Sequence, residues 1–311
     1  MMDFHQLVSL LNHEVLDSSD EKNNGLDMIH VHHFWNRGIF GSGVVIAVLD
    51  TGIDMSHEDL KENVIGGRNF TQDYQYDPMQ FQDEHGHGTH VAGIIAARND
   101  MIDIGVSPKA KLLILKTLAN NGNGLINNVI EAIYYAILWR GPNGERVNII
   151  TMSLGTKVNN PLLHDAIRYA LAHNISVVAA SGNDGDGQVT QKYRYPGAYQ
   201  EVIQVGAVNS TKNLARFSNS NEQLDLVAPG EHIYSTYLNN SYKSLSGTSM
   251  AAPFVAGALA LIIEESKMLF NRDFSEQEVY AQLIKSTKYL FGQPAIEGNG
   301  LLNLSRFLVI G

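Results

Sequence analysis

The sequence predicts a single α/β domain built on a mostly parallel sheet with helices on both faces. Three observations carry that prediction. Short, β-branched-rich runs at 44–49, 112–115, 148–152 and 175–180 are mostly apolar rather than alternating, as expected of strands buried on both faces. Segments with helical spacing, at 125–138, 162–172, 250–264 and 276–284, fall between or after them. No linker interrupts the pattern, and 311 residues fit one large domain or two ordinary ones. In such sheets reacting groups gather at the carboxyl ends of the strands.

Composition narrows the classes of function. Apolar residues at 44% and charged residues at 17% permit a substantial core. Net charge is −10 and no dense Lys/Arg run is present, which argues against a nucleic-acid partner. With no cysteine, disulfides, thiolate catalysis and Cys-based metal sites are excluded. The first 20 residues lack the basic and continuous apolar regions of a secretory signal, and no apolar run approaches a membrane span. The expectation is a soluble cytoplasmic protein without a membrane partner. Leu7, Leu10, Leu11 and Val15 recur at roughly helical spacing, and the polar stretch 17–24 separates this arm, residues 1–26, from a body at 27–311.

Three motifs carry chemistry. The run 44–49 ends in Asp50-Thr51-Gly52, placing a carboxylate at the edge of the sheet. Alone, it reads first as an Asx-turn or helix cap. His85-Gly86-His87-Gly88-Thr89-His90 precedes the apolar Val91, Ile94 and Ile95, so His87 stands near the first turn of a buried helix. A metal is the rival reading, but the glutamate of a His-Glu-x-x-His site is missing. His90 is expected to be structural and His85 a loop residue. Ser246-Gly247-Thr248-Ser249-Met250-Ala251-Ala252-Pro253 opens a long apolar helix. Its serine suits a simple cap, or a nucleophile beside a helix N-terminus that stabilises developing negative charge. Pro253 is expected within the first turn, where its missing N–H costs nothing.

Together the motifs mean more than they do singly. A serine hydroxyl needs a base to remove its proton, and the imidazole that does so needs a carboxylate to fix its tautomer. The chain order Asp50, His87, Ser249 is that of subtilisin. With Ala228-Pro229-Gly230, Tyr195-Pro196-Gly197 and Tyr280-Ala281-Gln282-Leu283-Ile284, the chain resembles the subtilisin-like serine proteases from about residue 29 to 302, and the bacterial intracellular subtilisins in particular.

That resemblance implies a three-layer subtilisin-like fold and a serine endopeptidase forming an acyl-enzyme on Ser249. It assigns Asn183, in Ala180-Ser181-Gly182-Asn183, and the backbone N–H of Ser249 to the oxyanion. Gly122, Asn123 and Gly124, with Ser153, Leu154 and Gly155, are implied to pair with an extended polypeptide substrate. Arg194 falls near the base of the primary specificity pocket, where relatives carry a small residue. There it narrows the pocket or favours an acidic or amide side chain; alternatively it turns away to pair with Asp184. Calcium is the implied cofactor. One site takes Asp59 with Asp100, and Asp103 nearby, in a loop one residue shorter than usual. A second takes the carbonyls of Gly197, Tyr199 and Val202 with Asp225, where Gln223 replaces a frequent glutamate. The arm sits where intracellular subtilisins carry an inhibitory extension, although Leu7-Val8-Ser9-Leu10 lacks that motif's proline. Relatives suggest a homodimer. Two alternatives stand beside general proteolysis: a leader peptidase for lantibiotic-type precursors, and a catalytically silent binding module.

Overall fold

The computed structural model describes residues 6–10, 14–15, 24–98 and 105–306. Its strands in chain order are β1 (Leu7–Leu10), β2 (Glu14–Val15), β3 (Val45–Asp50), β4 (Val64–Asn69), β5 (Lys111–Lys116), β6 (Asn123–Leu125), β7 (Val147–Met152) and β8 (Leu154–Gly155). They continue with β9 (Ser176–Ala180), β10 (Ile203–Val208), β11 (Leu226–Pro229), β12 (Ile233–Tyr237), β13 (Ser241–Ser246), β14 (Thr287–Lys288) and β15 (Leu301–Leu302). The helices are α1 (Asn24–Met28), α2 (His32–Trp35), α3 (His87–Ala96), α4 (Ile126–Leu138), α5 (Pro161–Ala172), α6 (Thr248–Phe270), α7 (Glu276–Lys285) and α8 (Pro294–Glu297).

Nine strands form the central sheet in the order β14-β15-β11-β10-β9-β7-β3-β5-β4. All neighbours are parallel except β14 and β15. Because strand side chains alternate between faces, each central strand feeds two cores. Val45, Ala47 and Leu49 of β3 join one cluster with residues of α4 and α5. Ile46 and Val48 join the other, with residues of α3 and α6. Asp50 has the parity of Ile46 and Val48, so the strand delivers its carboxylate to the α3 side. The result is the expected three layers, with the carboxyl ends of β3, β5, β7 and β9 side by side.

The long helix α6 is buried on every side from Thr248 to Ile262. It is long and apolar enough to cross a bilayer, but its most apolar window is mostly enclosed by protein, which makes it the core helix of the domain. It begins two residues earlier than the sequence predicts, so Pro253 falls in its second turn rather than its first. There Pro253 deprives the Ser249 carbonyl of its helical donor. The Ser153 hydroxyl donates to that carbonyl instead, at 2.9 Å.

The arm departs most from the sequence reading. Leu7–Leu10 is a strand and not part of a helix, inserted antiparallel between β6 and β8. Its burial alternates, with Val8 and Leu10 covered and Leu7 exposed, and two edge strands supply the hydrogen bonds a short helix would have had to make internally. Further along, β2 pairs with the end of β13, at Leu245 and Ser246. Leu26 of α1 packs into the main core.

One close approach sets the geometry of the site. A Cβ at Gly88 would stand 2.2 Å from the Gly52 carbonyl oxygen, so only glycine lets α3 rest on the turn after β3. Gly88→Ala is expected to lower stability by about 1–3 kcal/mol. A urea denaturation midpoint equal to that of the unaltered protein would show that α3 can back away from this turn.

Candidate active site

Asp50 ends β3 and His87 opens α3, and the two meet in the interior. His87 Nδ1 lies 2.8 Å from Asp50 Oδ1, with both side chains almost wholly buried. Since a carboxylate only accepts, Nδ1 carries the proton and Nε2 is the basic nitrogen of the neutral ring. The Thr51 N–H also donates to Asp50 Oδ1, at 2.8 Å, fixing the carboxylate plane.

A second acid, which sequence reading did not single out, builds the loop that presents His87. Asp83 is buried, and its Oδ1 accepts from the Thr51 hydroxyl and the N–H groups of His85 and Gly86. Its Oδ2 accepts from the N–H and hydroxyl of Thr89 in the first turn of α3. The Thr51 hydroxyl in turn accepts from the Gly88 N–H at 2.9 Å. An aspartate just ahead of a helix is a recognisable capping signal, and that signal points to Asp83.

Of the other histidines, His90 is fully buried, with Nε2 donating to the carbonyls of Ile233 and Lys243 at 3.0 and 2.9 Å. Its donor role makes it a poor ligand, and no cluster of three metal-ligating side chains occurs among the described residues. His85 lies on the loop with its ring 6.4 Å from that of His87, and burial lowers its pKa.

Ser249 is the second residue of α6, inside the first turn, whose N–H groups have no partner within the helix. The cap residue is Gly247 in an extended conformation, so the Ser249 hydroxyl is not used for capping. It donates to the Ser153 carbonyl at 3.2 Å. Asn183, in the loop after β9, covers the helix end: its Oδ1 accepts from the N–H and hydroxyl of Thr248, at 2.9 and 2.8 Å. With the oxygen of this planar amide facing Thr248, its NH₂ half is turned the other way. A hydroxyl, a helix N-terminus, an outward-turned amide and a carboxylate-bound imidazole are the components of acyl transfer through a tetrahedral oxyanion.

The segments expected to bind substrate flank this centre. Gly122 immediately precedes β6, which holds Asn123 and Gly124, while Ser153 precedes β8, which holds Leu154 and Gly155. Val8 pairs with Gly124, Ser9 with both Asn123 and Gly155, and Leu10 with Leu154, while the Leu10 N–H donates to the Gly122 carbonyl at 3.0 Å. Lys116, at the end of β5, anchors the loop leading to Gly122. Its buried ammonium donates to the carbonyls of Thr51 and Leu118 and to Asn120 Oδ1, and pairs with Asp73 at 3.1 Å. A lone lysine in an apolar strand carries no sequence signal for this role.

Arg194 is engaged by Asp184 through two hydrogen bonds of 2.6 Å each. This bond holds the Asp184 carboxyl below the usual carboxylate range. The Arg194 stem crosses Gly182, where an added Cβ would meet its Cγ at 2.7 Å.

The cation ligands expected from the sequence separate into two groups. Asp59 Oδ2 accepts the Tyr242 hydroxyl at 2.6 Å, while Asp100 and Asp103 lie outside the described residues. Gly197, Tyr199 and Val202 lie between β9 and β10. Asp225, just before β11, accepts from the Gln204 N–H at 2.8 Å and the Tyr280 hydroxyl at 2.6 Å. Burial raises its pKa to about 6, and burial together with the Asp225 charge raises that of nearby Glu276 to about 7. Neither acid makes an ion pair with a basic side chain among the described residues, so a hard cation fits the charge at this place.

The comparisons with known proteins agree with this geometry. Residues 41–302 match the Subtilase family of peptidases. The chain is 49% identical over 303 residues to an intracellular serine protease of Paenibacillus polymyxa, covering 96% of this chain and 91% of that protein. It is 45% identical to the major intracellular serine protease of Bacillus subtilis (strain 168), over 96% and 93%. Identity to subtilisin DY of Bacillus licheniformis is 39%, over 90% and 96%. With its buried Asp50–His87 pair and Ser249 at a helix N-terminus, the chain belongs to the subtilase family and is a serine endopeptidase.

Proposed function

We propose that Ser249 is the nucleophile, His87 its general base and Asp50 the carboxylate that orients and stabilises the imidazole. The observation that carries this reading is the buried 2.8 Å contact of His87 Nδ1 with Asp50. Ser249 Oγ attacks the peptide carbonyl while His87 Nε2 takes its proton. The Asn183 amide and the Ser249 N–H meet the oxyanion. His87 then protonates the leaving amine, and water, deprotonated by His87, hydrolyses the ester formed on Ser249. Substrate binds extended between β6 and β8, by the same main-chain pairing that holds the arm. Arg194 narrows the pocket for the residue preceding the cleaved bond; with Asp184 balancing its charge, it shapes this pocket more than it attracts an acidic side chain.

Near-full-length similarity to proteins named intracellular serine proteases supports cytoplasmic protein turnover over dedicated leader processing. The intact Asp50–His87 pair, with Ser249 retained at the start of α6, argues against a silent binding module. Mass spectrometry of a peptide mixture should show products with the intact chain and none with Ser249→Ala. Asn183→Ala should lower kcat by about 100- to 1000-fold, a magnitude taken from the corresponding amide in subtilisin rather than from the distances above. Products formed by Ser249→Ala would overturn the assignment.

The arm is proposed as a tethered inhibitor. Its support is position: β1 fills the cleft between the two substrate-pairing segments, and β2 docks on Leu245 and Ser246, three residues before Ser249. Deletion of residues 1–20 should raise kcat/KM on a fluorogenic peptide; equal rates would show that the arm does not compete.

Calcium is proposed as a structural ion. Asp225 with the carbonyls of Gly197, Tyr199 and Val202 would hold one, and Asp59 would contribute to a second; the ion neutralises carboxylates without entering the reaction. Calcium at about 100 times its Kd should add roughly 2.7 kcal/mol of stability. The gain should reverse on chelation and shrink in Asp225→Asn, whereas a melting temperature indifferent to both calcium and chelator would remove the ion from the account.

A further inference from the structure

A cavity of about 240 Å³ opens beside the outer end of the substrate cleft, against β6. Leu7, Phe70, Tyr76 and Leu125 give it apolar walls, Asn123 and Asn128 supply amides, and no charged side chain lines it among the described residues. The space remains although Leu7 stands at its edge, and Leu7 is 66% exposed. Leu7 therefore reaches this cavity without filling it.

The wall opposite β6 is a strained and heavily braced loop. Tyr74, Gln75 and Tyr76 all have left-handed backbones, with φ of 55°, 56° and 63°. Such angles are costly for non-glycine residues and persist only where the surroundings enforce them. Here Asn69 donates to the carbonyls of Asp73 and Asp77, Asp73 pairs with buried Lys116, and the Tyr74 hydroxyl donates to Glu84. Lys116 ties the same loop to Asn120 and so to the substrate-pairing segment.

The register says which substrate residue meets this cavity. Leu7 pairs with Leu125, Ser9 with Gly155 and Leu10 with Leu154. Continued by one residue, this register puts a substrate residue opposite Ser153, whose carbonyl accepts the Ser249 hydroxyl. Taken as the residue before the cleaved bond because it lies nearest the Ser249 hydroxyl, it makes the Leu7 position the fifth before that bond.

We propose that the cavity between β6 and the Tyr74–Tyr76 loop is a substrate subsite that selects a large uncharged aromatic side chain at the fifth residue before the cleaved bond. The inference rests on the peptidase reading above and adds a specificity remote from the reacting bond. An aromatic ring suits the volume, the apolar walls and the amide edges, and a charged group would lose hydration with no partner in the lining.

The test uses the full chain and four peptides identical except for Phe, Ala, Asp or Lys at that position, with the cleaved bond verified by mass spectrometry. Competition by the arm scales all four rates equally and leaves their ratios intact. Phe should exceed Ala, Asp and Lys by about 10-fold in kcat/KM. In Asn128→Trp, which fills the cavity, the ratio of Phe to Ala should fall to about 1–2. Leu7→Trp alters only the arm; its ring should occupy the cavity in cis and slow cleavage of the Ala peptide about 5-fold. Equal wild-type rates for Phe and Ala, a preference that survives Asn128→Trp, or an unaltered rate in Leu7→Trp would overturn the subsite. Absence of any Ser249-dependent cleavage would instead overturn the peptidase reading itself.

Discussion

Five donors converge on the Asp83 carboxylate: two hydroxyls and three backbone N–H groups, from the turn after β3, the His85–Gly86 loop and the first turn of α3. An anion buried this deeply is tolerable only if its lone pairs are satisfied, so any movement of one donor raises the cost for the whole group. The carboxylate therefore holds together two segments distant in sequence, one ending in Asp50 and the other starting at His87. Their 2.8 Å contact depends on how Asp83 holds these two segments. The negative charge also faces the positive end of α3, where it is favoured.

A similar economy governs α6. Its burial on all sides fixes the helix axis against the sheet, and its N-terminus is then presented at the sheet's edge without freedom to wander. Asn183 serves twice at this end: its oxygen closes the helix on Thr248, and that bond orients the opposite half of the amide. Ser153 also serves twice, because its hydroxyl repairs the carbonyl left open by Pro253 while its own carbonyl receives the Ser249 hydroxyl. Groups that serve two bonds at this helix end cannot be altered for one without disturbing the other.

Much of this was legible in the sequence, for identifiable reasons. Continuous apolar runs gave β3, β5, β7 and β9 to within a residue or two because strands buried on both faces admit little else. The meeting of Asp50 with His87, and the place of Ser249 at the start of α6, were legible because three motifs in one order constrain each other. Lys116 was opaque, since its value lies in partners supplied by three different loops. The arm was misread because Leu7, Leu10, Leu11 and Val15 match helical spacing, while the pairing that decides its conformation comes from residues more than a hundred positions away. Pro253 was misplaced by one turn, since only the structure shows where α6 begins. The strained Tyr74–Tyr76 turn had no glycine to announce it.

The way β1 lies in the cleft has a consequence for how such an enzyme changes state. A strand joined covalently to the body faces the cleft at an effective concentration of order millimolar, whatever the amount of protein in solution. Dilution cannot displace it, and a free peptide of equal affinity must reach a comparable level to compete. Cutting the chain between the strand and the body ends this advantage at once. The same contacts then belong to a short separate peptide whose occupancy falls with its bulk concentration. A single severed bond thus converts a tethered strand into a dissociable peptide, with no rearrangement of Asp50, His87 or Asn183 required.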